Sequence, residues 1–236
     1  MLVLLHGFTH TGASWDPVRS ELGERYRALA PDIRGHGSAS EREPVTLPAV
    51  LDDIGALEPE RFTLAGYSMG GRLALQFAVA YPDRLERLVL IGASPGIDDP
   101  AERARRRSAD ERLAGELERS SIEEFAARWE ATPVLAGQPA AVLAAARADR
   151  MRSTPAGLAR ALRGLGTGAL PSLWDRLEQI PMPVVILVGE RDDKFRAIAD
   201  RMRGRIPDAR IEGVAGSGHA VHLEAPAAVA AALGDG

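Results

Sequence analysis

Ser68 lies in Gly66-Tyr67-Ser68-Met69-Gly70, a Gly-x-Ser-x-Gly turn whose small flanking residues can lift a hydroxyl clear of the backbone. An apolar run precedes this turn and a good helix former, Arg72–Ala78, follows it. That setting puts the serine at a helix N-terminus, where negative charge is favoured. A serine hydroxyl becomes an effective base or nucleophile when a histidine takes its proton and a carboxylate orients that histidine. The chain has five histidines. His6, His10 and His36 come before Ser68 and read as loop-shaping, His6 as a hydrogen-bonding loop brace. His219 and His222 come after it, and the chain order serine, acid, histidine favours one of these two. His219 is preferred because Gly218 leaves room for its imidazole; His222 reads as packing beside it. Glu190, Asp192 and Asp193 all follow a buried strand, and spacing does not separate them as the acid. An oxyanion hole needs two converging backbone N–H groups. Met69, after the serine, supplies one, and Phe8 of His6-Gly7-Phe8 the other.

Positioning these groups calls for a parallel sheet. Apolar runs at Leu2–Leu5, Arg27–Pro31, Phe62–Ala65, Leu88–Ile91, Val184–Val188 and Arg210–Val214 read as strands, mostly covered on both faces. Helical patterns alternate with them at Asp16–Glu24, Leu47–Leu57, Gly70–Tyr81, Phe195–Arg205 and Pro226–Leu233. The stretch 96–180 differs: it shows helical periodicity at Ala101–Arg119, Ile122–Trp129 and Ala140–Arg152 and no strand. It reads as a helical lid (96–180) inserted into a core made of 1–95 and 181–236. The lid holds 13 acidic and 13 basic residues, so its arginine run from Arg103 to Arg107 gives it no net charge.

Composition narrows the function further. With 236 residues, 45% hydrophobic and 26% charged, the chain can bury a full core. A formal net charge of -4 offers no footprint for nucleic acid or an anionic membrane. There is no cysteine, which excludes disulfides, thiolate metal sites and a cysteine nucleophile. Lys194 is the single lysine, so a Schiff-base mechanism has one candidate. The start Met1–Leu5 carries neither a basic leader nor a small-residue cleavage site, and a cytoplasmic location is expected.

With these residues assembled, the chain resembles the α/β-hydrolase superfamily over nearly its whole length. Within it the chain is similar to the MenH family, the 2-succinyl-6-hydroxy-2,4-cyclohexadiene-1-carboxylate synthases. Four motifs carry the resemblance: Gly66–Arg72, with an arginine four after the serine; Leu165-Gly166-Thr167-Gly168 with Pro171-Ser172-Leu173-Trp174; Gly189–Phe195; and Trp129 followed by Pro133. The resemblance implies an α/β fold with a mostly parallel central sheet, helices on both faces and a helical lid. It implies Asp192 as the acid and His219 as the base. The implied reaction is a lyase reaction, elimination of pyruvate from 2-succinyl-5-enolpyruvyl-6-hydroxy-3-cyclohexene-1-carboxylate, a step of menaquinone biosynthesis. No cofactor or metal is expected. The implied partner is a small substrate with three carboxylates, which gives Arg72, Arg106 and Arg152 a purpose. Tyr67 and Trp129 are expected to line its pocket. In one respect the chain departs from the family: its first clear strand begins at Leu2, without the usual N-terminal antiparallel pair. The competing readings are a carboxylesterase or carbon-carbon bond hydrolase with Ser68 as nucleophile, and a non-catalytic receptor on the same fold.

Overall fold

A computed structural model describes all residues except 59, 133, 134, 136, 235 and 236. In chain order the elements are β1 (Leu2–Leu5), α1 (Asp16–Leu22), β2 (Ala28–Leu29), α2 (Leu47–Ala56), β3 (Phe62–Tyr67), α3 (Met69–Ala80) and β4 (Leu85–Ile91). Four helices follow: α4 (Pro100–Leu117), α5 (Ile122–Glu130), α6 (Ala140–Arg150) and α7 (Pro155–Leu165). The chain then returns to the sheet with β5 (Val184–Gly189), α8 (Asp193–Arg203), β6 (Ala209–Val214), α9 (Val221–Glu224) and α10 (Pro226–Gly234).

The six strands form one sheet in the order β2-β1-β3-β4-β5-β6. All five ladders are parallel. Continuous apolar strands arise because successive side chains point to opposite faces and both faces are covered. Val3, Leu5, Leu64, Leu88, Leu90 and Ile186 join residues of α2, α3 and α8 in one core. Their neighbours Leu2, Leu4, Ala65, Val89, Ile91 and Val185 join α1 and α10 in the other. Each fully buried leucine is worth about 2 kcal/mol, so the pattern fixes the register strongly.

Strand order reverses between β1 and β3, which pair through Leu5 and Gly66 at their carboxyl ends. Open parallel sheets bind ligands at such a switch point, because the loops leaving the two strands diverge there. The loop after β1 and the turn after β3 therefore flank one crevice. Helices α4 to α7 lie between β4 and β5 in sequence, and no strand occurs among the described residues of 96–180. Helices α4, α5 and α7 share a small core of their own, built on Ala114, Leu117, Phe125, Leu158 and Leu162, with Phe8 and Trp129 packed against it. No helix among the described residues is long and apolar enough to cross a membrane.

Candidate active site

Ser68 occupies the joint between β3 and α3 with φ +51° and ψ -104°. This left-handed conformation costs a non-glycine residue about 1–3 kcal/mol and persists only where the surroundings enforce it. They do so here. The Ser68 N–H donates to the Ile91 carbonyl of β4 at 2.8 Å, and the Ser68 carbonyl accepts from Arg72 N–H at 3.1 Å. Both motif glycines are required by space: a Cβ on Gly66 would strike the Gly70 backbone, and one on Gly70 would strike the Leu5 carbonyl. The first turn of α3 thus backs directly onto β1 and β3, with Ser68 at its head.

His219 Nδ1 donates to Asp192 Oδ2 at 2.6 Å, and His219 Nε2 lies 3.2 Å from Ser68 Oγ. With Nδ1 committed to the carboxylate, the unprotonated Nε2 faces the hydroxyl and can accept its proton. Asp192 is itself fixed, because Oδ1 caps α8 by accepting from Phe195 N–H at 3.3 Å. The other two carboxylates are engaged elsewhere. Glu190 accepts from Gly216 N–H at 2.9 Å, and the exposed Asp193 pairs with Arg196 at 3.4 Å. Geometry therefore separates three acids that spacing could not.

Two glycines border the imidazole, Gly218 in its own loop and Gly92 after β4. Gly218 is held by its N–H, which donates to Glu224 Oε2 at 2.8 Å; Glu224 in turn pairs with Arg191 at 2.9 Å. The imidazole itself rests on Gly92. Of the two residues that brace the His219 loop, Arg191 lay in the Gly189–Phe195 motif without an assigned role, and Glu224 carried no motif signal.

The remaining histidines are buried. His6 Nδ1 donates to the Gly7 carbonyl at 2.9 Å and its Nε2 accepts from Ile33 N–H at 2.9 Å, the expected loop brace. Burial pushes His6 down to about 4 and His36, stacked edge-on against it, down to about 3. His222 packs 4.1 Å from the Tyr67 ring, which also lies against His219, and burial holds it well below the ordinary histidine range. His10, which read as part of a polar loop, is buried against Asp149 of α6 at 3.1 Å.

Ser68 and His219 open onto a cavity of about 800 Å³ between the sheet end and helices α4, α5, α7 and α8. Phe8 and Met69 line it beside the serine. No acceptor among the described residues takes the backbone N–H of either. Trp129, Leu162, Phe195 and Ile198 supply apolar wall; the Trp129 ring stands edge-on to Phe8 at 5.3 Å. Pro133, which completed that motif in the sequence, lies outside the described residues. Arg72 also lines the cavity, and its Nε has no hydrogen-bond partner among the described residues. Burial, with Arg106 nearby, pushes its guanidinium down to about 10, so it remains charged at neutral pH. Arg106 reaches the same cavity while held by Asp110 at 2.8 Å. Arg105, Lys194 and Arg201 add positive charge at the wall, against Asp98, Asp99 and Glu102.

Two expected residues are not brought to the cavity. The Tyr67 ring is buried below it, under Gly7 and against His219 at 5.3 Å, because period-two alternation points residue 67 to the α1/α10 face. Arg152 falls beyond the end of α6, where its side chain is 65% exposed and pairs with Asp149 at 3.8 Å. Trp174, quoted in a motif but given no role, lines the cavity; its ring carries the Arg201 guanidinium at 4.1 Å and its indole N–H donates to the Gly96 carbonyl at 3.2 Å.

A serine, histidine and carboxylate joined this way at the end of a parallel sheet define a class. The chain matches the alpha/beta hydrolase family over residues 2–232. It is 38% identical over 238 residues to a Bacillus subtilis (strain 168) protein named "Putative 2-succinyl-6-hydroxy-2,4-cyclohexadiene-1-carboxylate synthase", covering 95% of this chain and 85% of that one. It is 32% identical to the 2-succinyl-6-hydroxy-2,4-cyclohexadiene-1-carboxylate synthase of Enterobacter sp. (strain 638), covering 98% and 89%. A solved structure of MenH from S. aureus superposes with a TM-score of 0.93 at 32% identity, covering 98% of this chain and 91% of that one. The chain belongs to the alpha/beta hydrolase family and, within it, to the MenH family of 2-succinyl-6-hydroxy-2,4-cyclohexadiene-1-carboxylate synthases.

Proposed function

We propose that this chain eliminates pyruvate from 2-succinyl-5-enolpyruvyl-6-hydroxy-3-cyclohexene-1-carboxylate, giving 2-succinyl-6-hydroxy-2,4-cyclohexadiene-1-carboxylate in menaquinone biosynthesis. The catalytic residues are Ser68, His219 and Asp192. His219 Nε2 draws the Ser68 proton, and Ser68 Oγ removes the ring proton next to the succinyl carbonyl. Charge develops on that carbonyl oxygen, where the Phe8 and Met69 N–H groups stabilise it. As the enolate collapses, the carbon-oxygen bond to the enolpyruvyl group breaks. The departing enolate takes a proton at carbon to become pyruvate, and the triad proton returns to solvent. No acyl-enzyme forms.

Helices α4 to α7 act as a lid over a core made of 1–95 and 181–236, and they supply Trp129 and Arg106 to the substrate. The observation that carries this reading is the Arg72 guanidinium, its Nε without a hydrogen-bond partner among the described residues, in the same cavity as the triad. A half-buried cation with an unsatisfied N–H is costly, and a substrate carboxylate relieves that cost. A plain esterase would line its acyl pocket with apolar groups instead.

The test supplies the enolpyruvyl substrate and follows pyruvate release. Wild-type protein is expected to release one pyruvate per substrate consumed, and Ser68→Ala or His219→Ala to lose orders of magnitude in turnover with the fold retained. Protein that releases no pyruvate but cleaves simple aryl esters well overturns the synthase reading in favour of a nucleophilic Ser68.

A further inference from the structure

Thr9 follows Phe8 directly and is held at φ +71°. A β-branched residue adopts this left-handed conformation only where its surroundings over-determine it. One constraint is the loop's own turn, in which His10 N–H donates to the Gly7 carbonyl at 3.1 Å; the others come from the lid. Arg150, the last residue of α6, donates from Nε to Thr9 Oγ1 at 3.2 Å, with its side chain 1% exposed and its NH1 group 3.4 Å from Glu130. The preceding residue, Asp149, accepts from Thr11 N–H at 2.9 Å, from the Thr11 hydroxyl, and from His10 Nδ1 at 3.1 Å. Burial alone would raise the Asp149 pKa. The bonds from His10 and Thr11 outweigh it and leave the carboxyl at about 2, fully ionised.

Two adjacent residues of one lid helix thus grip three consecutive residues of the loop after β1. Neither Asp149 nor Arg150 lines the cavity, so neither is placed to touch substrate. Placing a carboxylate and a guanidinium inside the protein is a poor way to gain stability alone. It does fix geometry, and the loop it fixes follows directly on Phe8, which lines the cavity with Ser68 and is read above as an oxyanion donor.

We propose that Asp149 and Arg150 are positioning residues that clamp Thr9–Thr11 and thereby aim the Phe8 N–H at the oxyanion above Ser68. The lid then completes the oxyanion hole as well as covering the substrate. This inference rests on the reading of Phe8 as an oxyanion donor.

A probe independent of the physiological substrate tests it: the rate at which a small neutral fluorophosphonate labels Ser68. There the Ser68 Oγ–P bond forms as fluoride leaves, His219 takes the hydroxyl proton, and the phosphoryl oxygen occupies the oxyanion position. Arg150→Met is expected to slow labelling, and kcat for pyruvate release, by about 100-fold with KM little changed, the scale of an ångström-sized misplacement. Adding Thr9→Gly, which accepts φ +71° without strain, is expected to restore roughly tenfold of that loss. Should Arg150→Met fail to fold, the isosteric Asp149→Asn carries the test and is expected to slow labelling likewise. Wild-type labelling rates in the folded single variants overturn the clamp. So does a Thr9→Gly/Arg150→Met protein no faster than Arg150→Met. Wild-type protein that resists labelling removes the oxyanion hole and the clamp with it. Protein that is labelled at Ser68 but releases no pyruvate sinks the synthase reading and leaves the clamp standing.

Discussion

The His219 imidazole lies against Gly92, so that a methyl group on Gly92 would sit 2.8 Å from His219 Cε1 and 2.9 Å from Nδ1. Gly92 follows β4 at φ +53°, so an added side chain there is strained as well as crowded. Gly92→Ala is therefore expected to push the imidazole off the line between Asp192 and Ser68. The expected result is a kcat loss of about 100-fold with a stability loss of about 1–3 kcal/mol. Turnover and a urea melt on the same preparation check this. Wild-type kcat would show that His219 has room to spare.

Asp192 is expected to be indispensable and its neighbours dispensable. Asp192→Asn keeps the shape but no longer favours the Nδ1–H tautomer of His219; in a serine protease the same change costs about 10⁴-fold in kcat. Glu190→Gln and Asp193→Asn remove contacts at the surface, where effects of about twofold are usual. The three variants compared under saturating substrate decide it, and a large loss in either neighbour would displace Asp192 from its role.

Arg72 is expected to act through the substrate's charge. Truncation to alanine removes a charged hydrogen-bond donor worth about 1.5–3 kcal/mol, so kcat/KM for the tricarboxylate should fall by about 10- to 100-fold. Labelling of Ser68 by a neutral fluorophosphonate should be nearly unchanged. Lysine at this position should recover only part, since it lacks the fork that matches a carboxylate. Equal losses with the charged substrate and the neutral reagent would mark Arg72 as structural.

What could be read beforehand follows from range. The sheet was legible because Leu64 and Ala65 belong to opposite cores, a local signal repeated along each strand. Ser68 and His219 were legible because a Gly-x-Ser-x-Gly turn and the chain order of a triad are local too. Helix α7 escaped notice because Gly157 and Gly164 dilute its pattern. Yet those glycines are where it backs onto the Ser40 and Val45 carbonyls of the core. Its Thr154 cap and Pro155 start were the available signal. Tyr67 was misplaced because adjacency to Ser68 in sequence does not say which face of the sheet a side chain takes. The bond between His10 and Asp149 joins residues 139 apart, and no local pattern announces such a pair.

Burial of His6 and His36 makes the fold acid-sensitive well above the range of its carboxylates. Both are depressed by burial from 6.5, to about 4 and about 3 respectively. The unfolded chain therefore binds more protons than the folded one between those values and 6.5. Stability rises with pH through that window and is lost as pH falls below 6.5. At pH 5 each histidine accounts for about 2 kcal/mol of that loss. His10 and His222, lowered by burial too, act in the same direction. Asp149 has the opposite kind of site, held ionised at about 2 against 3.8, and its contribution persists until pH falls below about 4. Two acid-sensitive stages are thus expected, the histidines first and Asp149 later. Urea midpoints measured from pH 7.5 down to pH 3 check the order. His36→Asn should flatten the upper stage without moving the lower one. A midpoint that stays constant from pH 7 to pH 5 would show that these imidazoles are not buried in neutral form.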